Sequence, residues 1–195
     1  MSANREVNPW IILDEQEVYQ NAWIQLNHYK VINPSGKEGI YGKVHFKNKA
    51  VGVIPIDETL HTYLVGQYRF TIQQYSWEIP EGGCPENETA LSAAKRELME
   101  ETGLQAEKWE YLGAAFLSNS VTDEASEFFV ATGLSKYKSA PEETEQLAVK
   151  KVALQQAFEM VENGTITDAL SVLALQKLQL LWMQGKWKPI ILQHG

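Results

Sequence analysis

The sequence predicts a mixed α/β sandwich. Three observations carry this expectation. Short runs rich in β-branched and aromatic residues recur between residues 23 and 152, while helical periodicity is confined to one internal stretch and to the C-terminal third. Adjacent strand-like runs are often joined by short turns, which disfavours a parallel, doubly wound sheet. At 195 residues the chain is most simply one domain, with room for a small subdomain and a substantial core.

In chain order, WIQLNHYKVI (23–32) and IYGKVHF (40–46) flank the turn-forming NPSG (33–36) and predict a hairpin. AVGVIPI (50–56) and TYLVGQYRF (62–70) are two further strands around the DETL turn, and Trp77 to Pro80 is a short strand leading into an acidic stretch. From about Glu88 to Thr102 good helix formers place Leu91, Ala94 and Leu98 on one apolar face, with Gly103 as the stop. Strands resume at WEYLGAAF (109–116), EFFVATGL (127–134) and LAVKKV (147–152). ALQQAFEMVENG has apolar residues at Leu154, Phe158 and Val161 and ends at Gly164, which predicts a helix. A second runs from Asp168 to Met183, where Leu170, Leu173, Leu178, Leu181 and Trp182 are expected to pack in the core.

The net charge of −8 leaves no basic surface for a phosphate backbone, so no nucleic-acid partner is expected. No apolar run is long enough for a membrane span. The opening MSANREVNPWIILDEQ lacks the basic start and apolar block of a secretory signal, and a single cysteine, Cys84, cannot form an internal disulfide; both point to a cytoplasmic protein.

The internal helix breaks two rules of helix stability. Glu100 and Glu101 face the negative end of the helix dipole, and Glu97 lies three and four residues before them, where like charges repel. Each violation costs a few tenths of a kcal/mol up to ~1 kcal/mol. A hard divalent cation is the simplest compensation, because carboxylate oxygens are its ordinary ligands. Lys95 and Arg96 offset part of the charge.

The wider spacing is Gly82, five residues, Glu88, seven residues, then REL-x-EE-x-GL from Arg96 to Leu104. It resembles, without a missing position, the signature of the Nudix hydrolase family, G-x5-E-x7-R-E-U-x-E-E-x-G-U, where U is a bulky aliphatic residue. The resemblance implies an α/β/α sandwich with a mixed sheet, and a loop–helix–loop that binds Mg²⁺, or Mn²⁺ in its place, and hydrolyses a nucleoside diphosphate linked to another moiety. It implies metal ligands at Glu97, Glu100 and Glu101, with the backbone carbonyl of Glu81 as a further one. Glu88 and Arg96 would hold the loop to the helix.

VGQYRFTIQQYSWEIPEGG upstream resembles the branch of the family that cleaves ADP-ribose and other nucleoside diphosphate sugars. There Arg69 is the expected contact to the substrate's phosphates and Glu78 a polar contact near the site. WIQLNHYKVINPSGKEGIYGKV resembles the branch's small N-terminal β-subdomain, which implies a homodimer, a boundary near residues 47 and 48, and Trp23 and Tyr41 as stacking surfaces for the base. APEETEQLAVKKV resembles the acidic loop that carries the catalytic base: Glu145 first, then Glu143 and Glu142, acting together with Glu100. One departure concerns the substrate. Asn119 and Ser120 stand where ADP-ribose pyrophosphatases usually carry Pro-Gly, in a segment that contacts the terminal sugar. GDP-mannose or UDP-glucose is therefore an alternative substrate, and a non-hydrolytic nucleotide-sugar sensor an alternative function.

Overall fold

A computed structural model describes residues 7–137 and 147–188. The chain divides into two compact units: one runs to Lys47 and also takes in Ser118–Glu124, and the other comprises Asn48–Leu117 and the chain from Ala125 onward.

The first unit is an antiparallel sheet of β1 (Ile11–Gln20), β2 (Ile24–Ile32) and β3 (Glu38–Phe46), in that order. The β2–β3 hairpin turns where the NPSG stretch predicts it. The Asn33 side chain accepts from the Ser35 and Lys37 N–H groups at 3.0 and 3.2 Å, and Gly36 takes the left-handed φ of 79° that an L side chain rarely adopts. Strand β1 is not apparent in the sequence. Its ten residues are all exposed and two register shifts interrupt its pairing with β2, so IILDEQEVYQ carries no regular apolar alternation.

The second unit contains β4 (Lys49–Ile56), β5 (His61–Arg69), β6 (Gln74–Glu78), β7 (Glu81–Cys84), α1 (Ala90–Thr102), β8 (Leu104–Phe116), β9 (Ala125–Lys136), β10 (Ala148–Ala153), α2 (Leu154–Glu162) and α3 (Ala169–Met183). Its sheet runs β10-β5-β4-β9-β8, with β6 added to β5 and β7 to β4. Among the described residues of this sheet only β4 and β9 pair in parallel, so the sheet is mixed as expected.

Alternation along β4 and β9 separates two cores. Val51, Val53, Phe129 and Ala131 pack with Ala93, Ala94 and Leu98 of α1; Ile54, Ile56, Phe128 and Val130 pack with α2 and α3 through Leu154, Phe158, Leu170 and Leu175. That is the α/β/α layering. Each fully buried leucine or isoleucine stabilises it by ~1.5–3 kcal/mol. The apolar face of α1 differs from the sequence expectation: Leu91 is 37% exposed, and Ala93 takes its place beside Ala94 and Leu98. Alanine lets the helix lie close to β4 and β7. In α3, Leu170, Leu175 and Leu178 are buried, but Leu173 is exposed.

Candidate active site

Helix α1 is fixed at both ends. The Thr89 hydroxyl accepts from the Ser92 N–H at 3.1 Å, and Gly103 adopts φ 67° while its N–H closes on the Met99 carbonyl. This sets the rotation that directs Glu97 and Glu101 towards β7. Glu101 is 5% exposed, and its Oε2 accepts from the Glu81 N–H at 2.9 Å, tying the last turn of the helix to the start of the strand.

Arg96 answers the charge repulsion predicted for this helix. Its Nη1 donates to Glu97 Oε1 at 2.6 Å and Glu100 Oε2 at 3.0 Å, and its Nη2 to the Gly83 carbonyl at 2.7 Å and Glu88 Oε2 at 3.1 Å. One guanidinium thus serves three carboxylates and the loop backbone. Gly82 is required by space rather than by backbone conformation, since a Cβ there would run into the Glu97 carboxylate.

A second acidic group converges on the same loop. Strand β6 brings Glu78 opposite Val65 of β5, and Arg69, four residues further along β5, grips it. Arg69 Nε donates to Glu78 Oε1 at 2.8 Å, and Nη2 to Glu78 Oε2 at 2.6 Å and to Glu81 Oε1 at 2.8 Å. Asp168 arrives from α3, where it is the N-cap and accepts from the Ser171 N–H at 2.7 Å; the Ser171 hydroxyl in turn accepts from the Ile79 N–H at 3.0 Å. One carboxylate oxygen from each of Glu78, Glu81 and Asp168 lies within 4.8 Å of the others.

These three carboxylates face one guanidinium. Burial pushes the Glu81 carboxyl well above the ordinary carboxylate range; the charges of Asp168 and Glu78 push in the same direction and Arg69 opposes them. Burial alone would lower Arg69, but its hydrogen bonds to Glu78 and the charge of Glu81 raise it, so it stays protonated. Glu81 Oε2 is buried and meets no hydrogen-bond donor among the described residues. A surplus of oxygen donors, one of them buried without a partner, fits a hard divalent cation. Glu78, Glu81 and Asp168 are the residues whose oxygens are brought together for it, and Glu101, tied to the Glu81 N–H, brings the α1 glutamates alongside.

Arg69, Glu78, Glu81, Glu97, Glu100 and Glu101 thus all fall around the β6–β7 connection and α1, in the second unit. Glu78 is 2% exposed and grips Arg69. Asp168 escapes a reading of the sequence because an aspartate at a helix start is an ordinary cap; only the fold brings it to Glu81. Glu142, Glu143 and Glu145 lie outside the described residues. Tyr41 and Trp23 are in the first unit. Tyr41 lines a cavity of about 450 Å³ there, edge-on to Trp10 with ring centroids 5.5 Å apart. Trp23 is 67% exposed and is not among the residues lining that cavity.

Fold and site together define an α/β/α domain with a centre of converging carboxylates beside a helix that ends at a glycine. Comparison with known proteins gives the family. The NUDIX domain pattern matches residues 46–173, and that of the nucleoside diphosphate sugar hydrolase N-terminal domain matches residues 10–44. The chain belongs to the Nudix family. It is 35% identical over 133 residues to a methanol dehydrogenase activator of Bacillus methanolicus, covering 67% of this chain and 72% of the relative. It is 31% identical over 168 residues to an ADP-ribose pyrophosphatase of Bacillus subtilis, covering 85% of this chain and 90% of the relative. A crystal structure of an ADP compounds hydrolase has the same fold, with a TM-score of 0.82 at 22% identity over 93% of this chain and 98% of that one.

Proposed function

We propose that this protein hydrolyses ADP-ribose to AMP and ribose 5-phosphate in a Mg²⁺-dependent reaction, with Mn²⁺ as a substitute ion. The observation that carries the reading is the convergence of the α1 glutamates, the Glu81 strand and Arg69 on one loop, in a chain that resembles ADP-ribose pyrophosphatases over most of its length. Water adds to one phosphorus, the P–O bond to the bridging oxygen breaks, and one proton is released. A divalent cation held by Glu97, Glu100, Glu101 and the Glu81 carbonyl supplies neutralisation of the pyrophosphate oxygens and of the charge on the departing phosphate.

The chain's own residues do the rest. Arg69, its guanidinium plane fixed by Glu78 and Glu81, presents its remaining nitrogen, Nη1, to a substrate phosphate. Arg96 keeps Glu97 and Glu100 aligned against their mutual repulsion. Glu145, with Glu143 and Glu142 as the nearest alternatives, takes the proton of the attacking water, and Glu100 assists from the helix. The 450 Å³ cavity receives the base against Tyr41, with Trp10 joining Tyr41 and Trp23 contributing from outside the cavity. The working form is a cytoplasmic homodimer that uses neither nucleic acid nor membrane as a partner. Among the described residues no helix is long and apolar enough to cross a membrane.

A second reading keeps the chemistry and changes the nucleoside diphosphate sugar: Asn119 and Ser120, standing where the resemblance places Pro-Gly, line the cavity assigned to the base, and that departure favours GDP-mannose or UDP-glucose as the main substrate. The test is turnover on ADP-ribose, GDP-mannose and UDP-glucose with Mg²⁺ and products separated. ADP-ribose is expected to give the highest kcat/KM; a higher value for GDP-mannose or UDP-glucose replaces it with the second reading. Binding without turnover on all three would make the protein a sensor.

A further inference from the structure

We propose that Asp123 is a positioning residue: it builds one wall of the first unit's cavity and so sets how tightly the base end of the substrate is held. This rests on the reading that the cavity takes the base. The cavity has a sheet side, formed by Trp10, Tyr29 and Tyr41, and a second side formed by residues 119–123, which belong to a segment that leaves the end of β8 and returns into β9. That segment has no regular element of its own, and Val121 is 50% exposed, so little apolar burial holds it. Hydrogen bonds must do so instead.

Asp123 supplies most of them. Lys43 and His45, two apart on β3, project from the same face of the strand and meet one carboxylate: Lys43 Nζ lies 2.8 Å and His45 Nδ1 2.7 Å from Asp123 Oδ2, while Oδ1 accepts from the Phe46 N–H at 3.0 Å. The peptide groups of Val44, between Lys43 and His45, complete the seam: the Val44 N–H donates to the Val121 carbonyl at 2.9 Å, and the Asp123 N–H to the Val44 carbonyl at 3.3 Å. Segment residues thereby extend β3 by one parallel bridge, Val44 to Thr122. At the other end of the wall the Tyr41 hydroxyl donates to the Ser120 carbonyl at 2.6 Å, so the aromatic and polar sides of the cavity share a bond. Burial would raise the Asp123 carboxyl, yet Lys43, His45 and the Phe46 N–H hold it at about 2, so the carboxylate is charged throughout the neutral range. Removing it takes away the three side-chain bonds, leaves the wall on its backbone bonds and the Tyr41 hydroxyl, and keeps the Trp10–Tyr41 pair in place.

The experiment compares wild type with Asp123→Ala, Asp123→Asn and a control, Asp14→Asn, on the exposed face of β1, by steady-state kinetics on ADP-ribose and by hydrogen exchange. For Asp123→Ala the expected result is a KM raised about ten-fold or more, kcat held within about two-fold, and faster exchange confined to residues 118–124 and their β3 partners. Asp123→Asn keeps the acceptor oxygen and is expected to fall between; the control matches wild type. Unchanged KM in Asp123→Ala overturns the proposal, whether or not exchange accelerates. Trp10→Ala and Tyr41→Ala separate the two claims. If both leave KM unchanged, the base reading itself fails and takes this proposal with it; if both raise KM and Asp123→Ala does not, only the role of Asp123 fails.

Discussion

Replacing Gly82 with alanine is the smallest change that should disable the site without unfolding the protein. The backbone at Gly82 is not in the left-handed region, so alanine adds no conformational strain there; what it adds is a methyl group directly on the Glu97 carboxylate. Non-bonded carbons rest at ~3.5–4.0 Å, which forces the carboxylate back by at least ~1 Å. Glu97 is a flexible side chain, so it can retreat, and the loss in stability includes its bond with Arg96. Arg96 remains bound to Glu88, Glu100 and the Gly83 carbonyl and is 32% exposed, which limits the cost to roughly 1 kcal/mol or less. Catalysis tolerates such a shift far less well: a misplacement of ~1 Å in a catalytic constellation costs ~100-fold in rate. Thermal unfolding and ADP-ribose turnover measured on the same preparation check this. A Gly82→Ala protein with Tm lowered by only a few degrees and kcat/KM reduced ~100-fold is the expected result. Full activity would refute the placement of Glu97 beside β7 as a functional requirement.

Three further predictions concern charge. Asp57 closes the β4–β5 turn; burial would raise its carboxyl, but Lys151 and the groups of His61 and Thr59 hold it at about 2. A carboxyl lowered on folding stabilises the protein above its unfolded-state value and loses that contribution as pH falls. Asp57→Asn should therefore cost ~1–2 kcal/mol at pH 7, with the difference from wild type disappearing between about pH 4 and 2 in urea titrations. At the active site, Asp168→Asn keeps the helix cap and removes a charge facing Glu81, whereas Asp168→Ala removes both; by denaturation in EDTA the asparagine variant should exceed the alanine variant by ~1 kcal/mol and not fall below wild type. Glu78→Gln should raise KM more than it lowers kcat, because it loosens the Arg69 guanidinium without touching the α1 glutamates; an unchanged KM would contradict that assignment.

How much of this could be read from residues alone varies with the range of the interactions involved. The acidic helix, its Gly103 stop and the glutamate spacing are local features, and the structure keeps them within two residues of their predicted bounds. Strands β4, β5 and β9 are visible because buried β-branched runs announce themselves. Strand β1 is hidden by its exposure, and β7 by two consecutive glycines that give no strand propensity. The meeting of Asp168 with Glu81 spans 87 positions of sequence, and that of Asp123 with Lys43 and His45 about 80; each residue reads locally as an ordinary cap or turn aspartate. Substrate choice is the hardest part, because residues 119 and 120 line a cavity that only the folded first unit creates.

The most direct measurement is turnover of ADP-ribose by wild type and Glu101→Gln, each with Mg²⁺ and each with EDTA, with products resolved by chromatography. The account predicts AMP and ribose 5-phosphate in equal amounts from wild type with Mg²⁺, and rates lowered at least ~100-fold by either EDTA or the substitution. A Glu101→Gln protein as active as wild type, or turnover indifferent to EDTA, would contradict it.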